Sequence, residues 1–179
     1  MPVLSLVYAP NPIFKQQATP VETVDDTVRA TIDAMFDTLE YEQAVGMGGN
    51  MVGLLKQIAI VDLHPDGVSS PYTFINPDIY WASEEMQEQE EASICFPGIA
   101  ATIQRPKAIK LRYLDYDGNP AELEAEGYFA CVIQHEVDYL RGVTFLDYLS
   151  KMKRDMLIKK TQKYQKEHPP HVHGAGCRH

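Results

Sequence analysis

The sequence predicts an α+β fold, with antiparallel or mixed strands packed around a central helix. Three observations lead there. The elements run in the order helix, several strands, helix, helix. Residues 107–113 and 121–125 flank Asp117-Gly118, a strong hairpin turn. A helical stretch from about Gly127 to Leu140 is closed by Gly142, a residue suited to end a helix. With 179 residues, the chain is long enough for one domain with its own core.

The elements follow in order. Pro10, Pro12 and Pro20 keep the first twenty residues extended or irregular. Val28, Ile32, Met35, Phe36 and Leu39 then form one apolar stripe at helical spacing, with Asp25 or Asp26 able to cap its start. Four glycines within residues 46–53 allow tight turns and close backbone approach. Leu54 to Leu63 reads as a buried strand, Tyr72 to Ile75 as a short one, and Ile79 to Ala82 as another. Residues 84–91, dominated by Glu and Gln, read as an exposed excursion. Lys107 to Tyr113 alternates, with Ile109, Leu111 and Tyr113 on one face, and Ala121 to Ala125 returns as its partner. A last helix, about Ser150 to Tyr164, sets Met152, Met156 and Leu157 against Lys151, Arg154, Lys159 and Lys160. The domain is expected to span 1–165. Residues 166–179 then form a flexible tail carrying His168, His171, His173, Cys177 and His179.

Composition excludes some functions. Asp plus Glu number 25 against 16 Lys plus Arg, a net charge of −9, which argues against a broad nucleic-acid surface. No apolar run reaches the roughly 18 residues of a membrane helix. The start, Met1-Pro2-Val3-Leu4, lacks the basic opening of a signal peptide, so a cytoplasmic protein is expected. Cys95, Cys131 and Cys177 read as free thiols rather than a disulfide framework.

The chemistry centres on His135-Glu136-Val137-Asp138-Tyr139. In an HExxH helix, two histidines four apart share a face and reach one metal, while the glutamate handles protons beside it. Here Tyr139 stands where the second histidine would be. An isolated histidine at such a place is equally explained as a buried core residue. Its surroundings point further.

Three segments together resemble the peptide deformylase family, over nearly the whole chain from Pro10 to about Leu157. Gly46-Met47-Gly48-Gly49-Asn50-Met51-Val52-Gly53 is similar to the family's GLAAxQxG. Glu90-Glu91-Ala92-Ser93-Ile94-Cys95-Phe96-Pro97 is similar to EEGCLSxP, and Gln134 to Gly142 to QHExDHLxG. The resemblance implies the deformylase α+β fold and a groove walled by Val45, Gly46, Met47, Gly48, Met51, Ala92, Ser93, Ile94, His135 and Tyr139. It implies an N-formyl or N-acyl peptide, or a small ligand, as the groove's occupant. The ribosome would be a partner by resemblance alone.

The same comparison removes most of the catalytic equipment. The family holds ferrous iron, or zinc or nickel in its place, with one cysteine and two histidines. Those positions are Ser93, His135 and Tyr139 here. A serine hydroxyl and a neutral tyrosine, with a pKa of about 10, are poor ligands. The family's oxyanion-binding glutamine is Met51, whose thioether donates nothing, and one lost donor costs about 3 kcal/mol. Glu136 alone keeps its catalytic identity, as the family's general base and acid. No cofactor is expected. The expectation is a deformylase-like protein without the usual metal-dependent hydrolysis. The alternative is an active deformylase or related amide hydrolase with an atypical centre. A Cys95, Cys131 and His135 metal site, or a Ser93–His135 nucleophile pair, would be such a centre.

Overall fold

The chain is described by a computed structural model covering residues 3–170. Helix α1 spans Asp26–Tyr41, capped by the Asp25 carboxylate, which accepts from the Val28 amide. Seven strands follow: β1 (Gly46–Gly48), β2 (Ile58–Asp62), β3 (Pro71–Ala82), β4 (Met86–Glu91), β5 (Ala101–Pro106), β6 (Ala108–Leu114) and β7 (Pro120–Glu126). Helix α2 spans Gly127–Leu140 and helix α3 Lys151–Glu167. Strands β1-β2-β3-β6-β7 form one antiparallel sheet in that order, and β4 with β5 forms a separate antiparallel ribbon.

Strand β2 explains the layering. Its residues are buried without exception. Ile58 and Ile60 face one core, with Met35, Leu39, Met51 and Tyr139; Ala59 and Val61 face the other, with Ile133 and Val137 of α2. A strand covered on both sides reads as a continuous apolar run. Helix α2 is accordingly buried almost all round, from Ala130 to Val137 and again at Tyr139 and Leu140. It is the central helix that the sequence predicts.

Three expectations change. Residues 84–91 are not an excursion: Met86–Glu91 pairs along its length with Ala101–Pro106. The pairing is hidden in the sequence because both faces of β4 are polar, and its last residue, Glu91, is buried on an arginine. The short strands at 72–75 and 79–82 are one bulged strand, β3, bent at Asn76, whose side-chain amide exchanges two hydrogen bonds with the Val21 backbone. On α3, Met152 and Met156 are exposed, while Leu157 and Thr161 are buried. The helix docks through the line Leu157, Thr161 and Gln165. Thr161 donates to the Pro97 carbonyl at 2.7 Å and Gln165 to the Ala9 carbonyl at 2.7 Å. Helix α3 also continues to Glu167, beyond the expected boundary at 165. The remaining tail residues, 171–179, lie outside the described residues.

One buried cation ties the ribbon to the central helix. Arg105 of β5 is 2% exposed. Its guanidinium donates to both oxygens of Glu91, at 2.6 and 2.9 Å, and to Asp138 Oδ2 at 2.7 Å. Tyr148 lies against it and donates to the same Asp138 oxygen at 2.7 Å. Arg105→Met leaves two carboxylates without their cation. It is expected to lower the unfolding free energy by about 3 to 5 kcal/mol in urea titrations. A loss below about 1 kcal/mol would show that the tie carries little of the fold.

Candidate functional site

A cleft of about 680 Å³ runs between β1, the loop after β4 and the exposed edge of α2. Of the residues expected in the groove wall, Val45, Gly46, Met51, Ala92, Ser93, Ile94 and His135 line it, and Glu136 lines it beside them. Met47, Gly48 and Tyr139 do not. Met47 and Tyr139 are 0% exposed and stand behind the wall. A side-chain carbon on Gly48 would sit 3.2 Å from Tyr139 Cβ, so that glycine lets α2 approach β1. Gly46 plays the same part for Glu136: an added Cβ would lie 2.9 Å from its Cγ and Oε1.

The positions resembling metal ligands still converge, but they are wired to protein. Tyr139 donates its hydroxyl to Ser93 Oγ at 2.7 Å. Burial pushes the Tyr139 hydroxyl well above its ordinary pKa, so it stays protonated and donates. Ser93 Oγ also accepts the Cys95 amide at 3.3 Å. Two donors therefore occupy the lone pairs that a metal would need. His135 Nδ1 lies 2.6 Å from Glu91 Oε1, and its ring packs between Tyr139 and Phe145. Burial alone would raise Glu91, but its bonds to His135 and Arg105 outweigh that and hold it at about 2. Glu91 is thus an ionised acceptor that fixes the imidazole's orientation.

The other candidate ligands fail as well. Cys95 is 0% exposed, and burial pushes its thiol well above the ordinary range. Burial next to the Glu91 carboxylate pushes the Cys131 thiol up to about 12. Neither supplies a thiolate at neutral pH. Among the described residues, no group of three or more His, Cys, Asp or Glu side chains is placed to hold a metal ion. The expected alternative of a Cys95, Cys131 and His135 centre is therefore withdrawn. So is the Ser93–His135 pair: Ser93 is engaged by Tyr139, and no hydrogen bond joins it to His135 among the described residues. The residues present do not fit ferrous iron or its substitutes.

Met51 is likewise built into the wall. Its Sδ accepts the Gly48 amide at 3.3 Å and its carbonyl accepts the Val7 amide at 2.8 Å. One end of the cleft, formed by Tyr8, Ile99, Tyr164 and His168 beside Pro97, is not marked by the motifs. Gly98 (φ 81) lacks a Cβ there, which makes room for the Tyr164 ring, and Tyr164 in turn stacks on His168 at 4.2 Å.

Glu136 is 5% exposed, and its Oε2 has no hydrogen-bond partner among the described residues. Burial raises its pKa from 4.5 to about 7, against the pull of His135 and the Gly48 amide. The sign follows from which state ionises first. Below about 4.5 the group is protonated whether folded or unfolded. Between about 4.5 and 7 the unfolded chain ionises first, so stability falls as pH rises; above about 7 the full cost is present. Glu136→Gln is therefore expected to gain stability on the wild type between pH ~4.5 and ~8, by on the order of 2–3 kcal/mol. Urea unfolding of both proteins at the two pH values measures this, and a pH-independent difference would contradict it.

The sequence pattern of the polypeptide deformylase family matches residues 3–155. A peptide deformylase-like protein of Rickettsia conorii is 59% identical over 178 residues, covering 99% of this chain and 97% of the relative. A peptide deformylase of Phenylobacterium zucineum is 40% identical over 167 residues, covering 93% and 99%. The crystal structure of peptide deformylase from Ehrlichia chaffeensis superimposes with a TM-score of 0.89 at 35% identity, covering 93% of this chain and 98% of that one. The structure of the same enzyme in complex with actinonin gives 0.86 at 36% identity, covering 95% and 100%. The chain belongs to the peptide deformylase family, as a deformylase-like member whose described residues offer no metal-binding cluster.

Proposed function

We propose that this protein uses the deformylase cleft to bind an N-formyl or N-acyl peptide, or a similar small ligand, without hydrolysing it through a metal. The observation that carries this reading is the Tyr139–Ser93 hydrogen bond of 2.7 Å. It closes the centre with two neutral hydroxyls and leaves the cleft beside it open. A water molecule there meets no Lewis acid to lower its pKa, so Glu136 has no activated nucleophile to serve. An acyl oxygen meets Met51, which accepts a hydrogen bond and donates none. Among the described residues no helix is long and apolar enough to cross a membrane. A cytoplasmic place of action is part of this proposal.

The test is hydrolysis of a formyl-Met peptide by the purified protein with added ferrous, nickel or zinc ions. Formate release is expected to equal the blank. Turnover that disappears in His135→Ala would overturn the reading.

A constructive variant tests the cleft itself. Met51→Gln, Ser93→Cys and Tyr139→His together are expected to bind one metal ion and release formate. The same protein with Met51 retained is expected to turn over about 10²–10³-fold more slowly, for want of one oxyanion donor. Equal rates would show that the residue at position 51 does not limit turnover.

A further inference from the structure

Helix α3 has two faces, and the fold uses one. Leu157, Thr161 and Gln165 face inward and dock the helix on Pro97 and Ala9. The opposite stripe, at spacings of four and three, is Met152, Met156, Lys159, Lys163 and Lys166, with Lys153 and Lys160 beside it. All of these are exposed, Met152 by 83% and Met156 by 58%.

Positive charge is concentrated on this helix. It holds seven of the chain's 16 Lys and Arg and only two acidic residues, in a protein of net charge −9. Lys151 pairs with Asp155 at 2.9 Å and Arg154 with Asp147 at 3.5 Å. The other five lysines form no ion pair among the described residues. Lys159 and Lys163 are four apart, and Lys160 and Lys166 each lie three from Lys163. Like charges at those spacings repel on a helix. An anionic partner relieves that repulsion.

The residue types select the anion. Recognition of nucleic acid draws on arginine forks and on rings that stack against bases. The outward stripe offers neither: Arg154 turns to Asp147, and Tyr164 turns to the cleft. Its lysines are compact point charges, suited to a diffuse field of phosphates. Its two methionines gain from an apolar medium. A nucleic-acid backbone has none to give, whereas the boundary between lipid headgroups and acyl chains does.

We propose that the outward face of α3 docks reversibly on an anionic phospholipid surface, with its five unpaired lysines on the phosphates and Met152 and Met156 at the acyl boundary. The contact is peripheral: among the described residues no helix is long and apolar enough to cross a membrane. The inward face stays docked on Pro97 and Ala9 throughout, so the helix makes the contact without leaving the protein. The proposal is independent of what the cleft binds.

The experiment is co-sedimentation of the full chain with vesicles of phosphatidylcholine alone and of phosphatidylcholine mixed with phosphatidylglycerol, beside a titration with a short RNA duplex. The mixed vesicles are expected to bind it at least about tenfold more tightly than the neutral ones, and high salt to remove the difference. Lys159→Glu with Lys163→Glu is expected to lower the affinity for mixed vesicles at least about tenfold. Met152→Ser with Met156→Ser is expected to lower it about tenfold as well, at unchanged net charge. All four side chains are exposed, so both variants are expected to unfold at nearly the temperature of the wild type. Equal affinity for the two kinds of vesicle, or binding to neither, overturns the proposal. Unchanged vesicle binding in the lysine variant places the contact elsewhere and overturns it too. Tighter binding of the RNA duplex than of the mixed vesicles, lost with the lysines and kept without the methionines, assigns the face to nucleic acid instead.

Discussion

The buried guanidinium of Arg105 is the constraint on which the site depends. It holds Glu91 by two bonds and Asp138 by a third, so the β4–β5 ribbon and the central helix cannot separate without stranding charges. Glu91, kept ionised at about 2, then accepts from His135. The chain of causes runs from Arg105 through Glu91 to the imidazole. The orientation of His135 therefore comes from protein, and no ion is needed to hold it. In a metal site, a carboxylate behind a histidine tunes a ligand. Here the same arrangement stands without a ligand set.

Tyr139 and Ser93 complete that independence. They are 46 residues apart, on α2 and on the loop after β4, and their hydrogen bond spans the place where the family's ligands meet. A coordinate bond between helix and loop is replaced by a hydrogen bond between two hydroxyls. The replacement is self-consistent. Tyrosine is longer than histidine, it is fully buried, and burial keeps it protonated, so its hydroxyl keeps the hydrogen that it donates to Ser93. Serine is small enough to receive it. The Met51 Sδ contact with the Gly48 amide follows the same logic, turning a donor position into an acceptor that satisfies the wall. Three departures in three motifs act as one rewiring. Glu136 is the exception: it keeps its identity and its burial, but among the described residues its Oε2 has no partner.

Much of this architecture is legible in the sequence, and what is not has physical reasons. Helix α1 and the β6–β7 hairpin are readable because burial on one face writes its period directly, as at Ile109 and Leu111. Strand β2 is readable as an apolar run because both its faces are covered. The ribbon is not readable at β4, where Gln87 and Gln89 alternate with Glu88 and Glu90 and polarity carries no period. Strand β5 did carry a signal, Ala101 and Ile103 alternating with Thr102 and Gln104, that the composition of its partner obscured. At the site, the positions of Met51, Ser93, His135 and Tyr139 are readable from motif resemblance. Their contacts are not, since Ser93–Tyr139 and Glu91–His135 are long-range pairs that only the tertiary structure brings together. The same holds for Tyr164 and His168, which reach the cleft because α3 docks on Pro97 and Ala9.

Protein hydrogen bonds, not a metal ion, close this centre. The most direct measurement is elemental analysis after saturation with ferrous, zinc or nickel ions and removal of the excess. It is made on the full chain, on a chain ending at Pro170, and on His135→Ala. The chain ending at Pro170 is expected to hold no equivalent of metal, any retained ion being lost with the histidines beyond it. One equivalent of metal that survives removal of those residues and disappears with His135→Ala would contradict it.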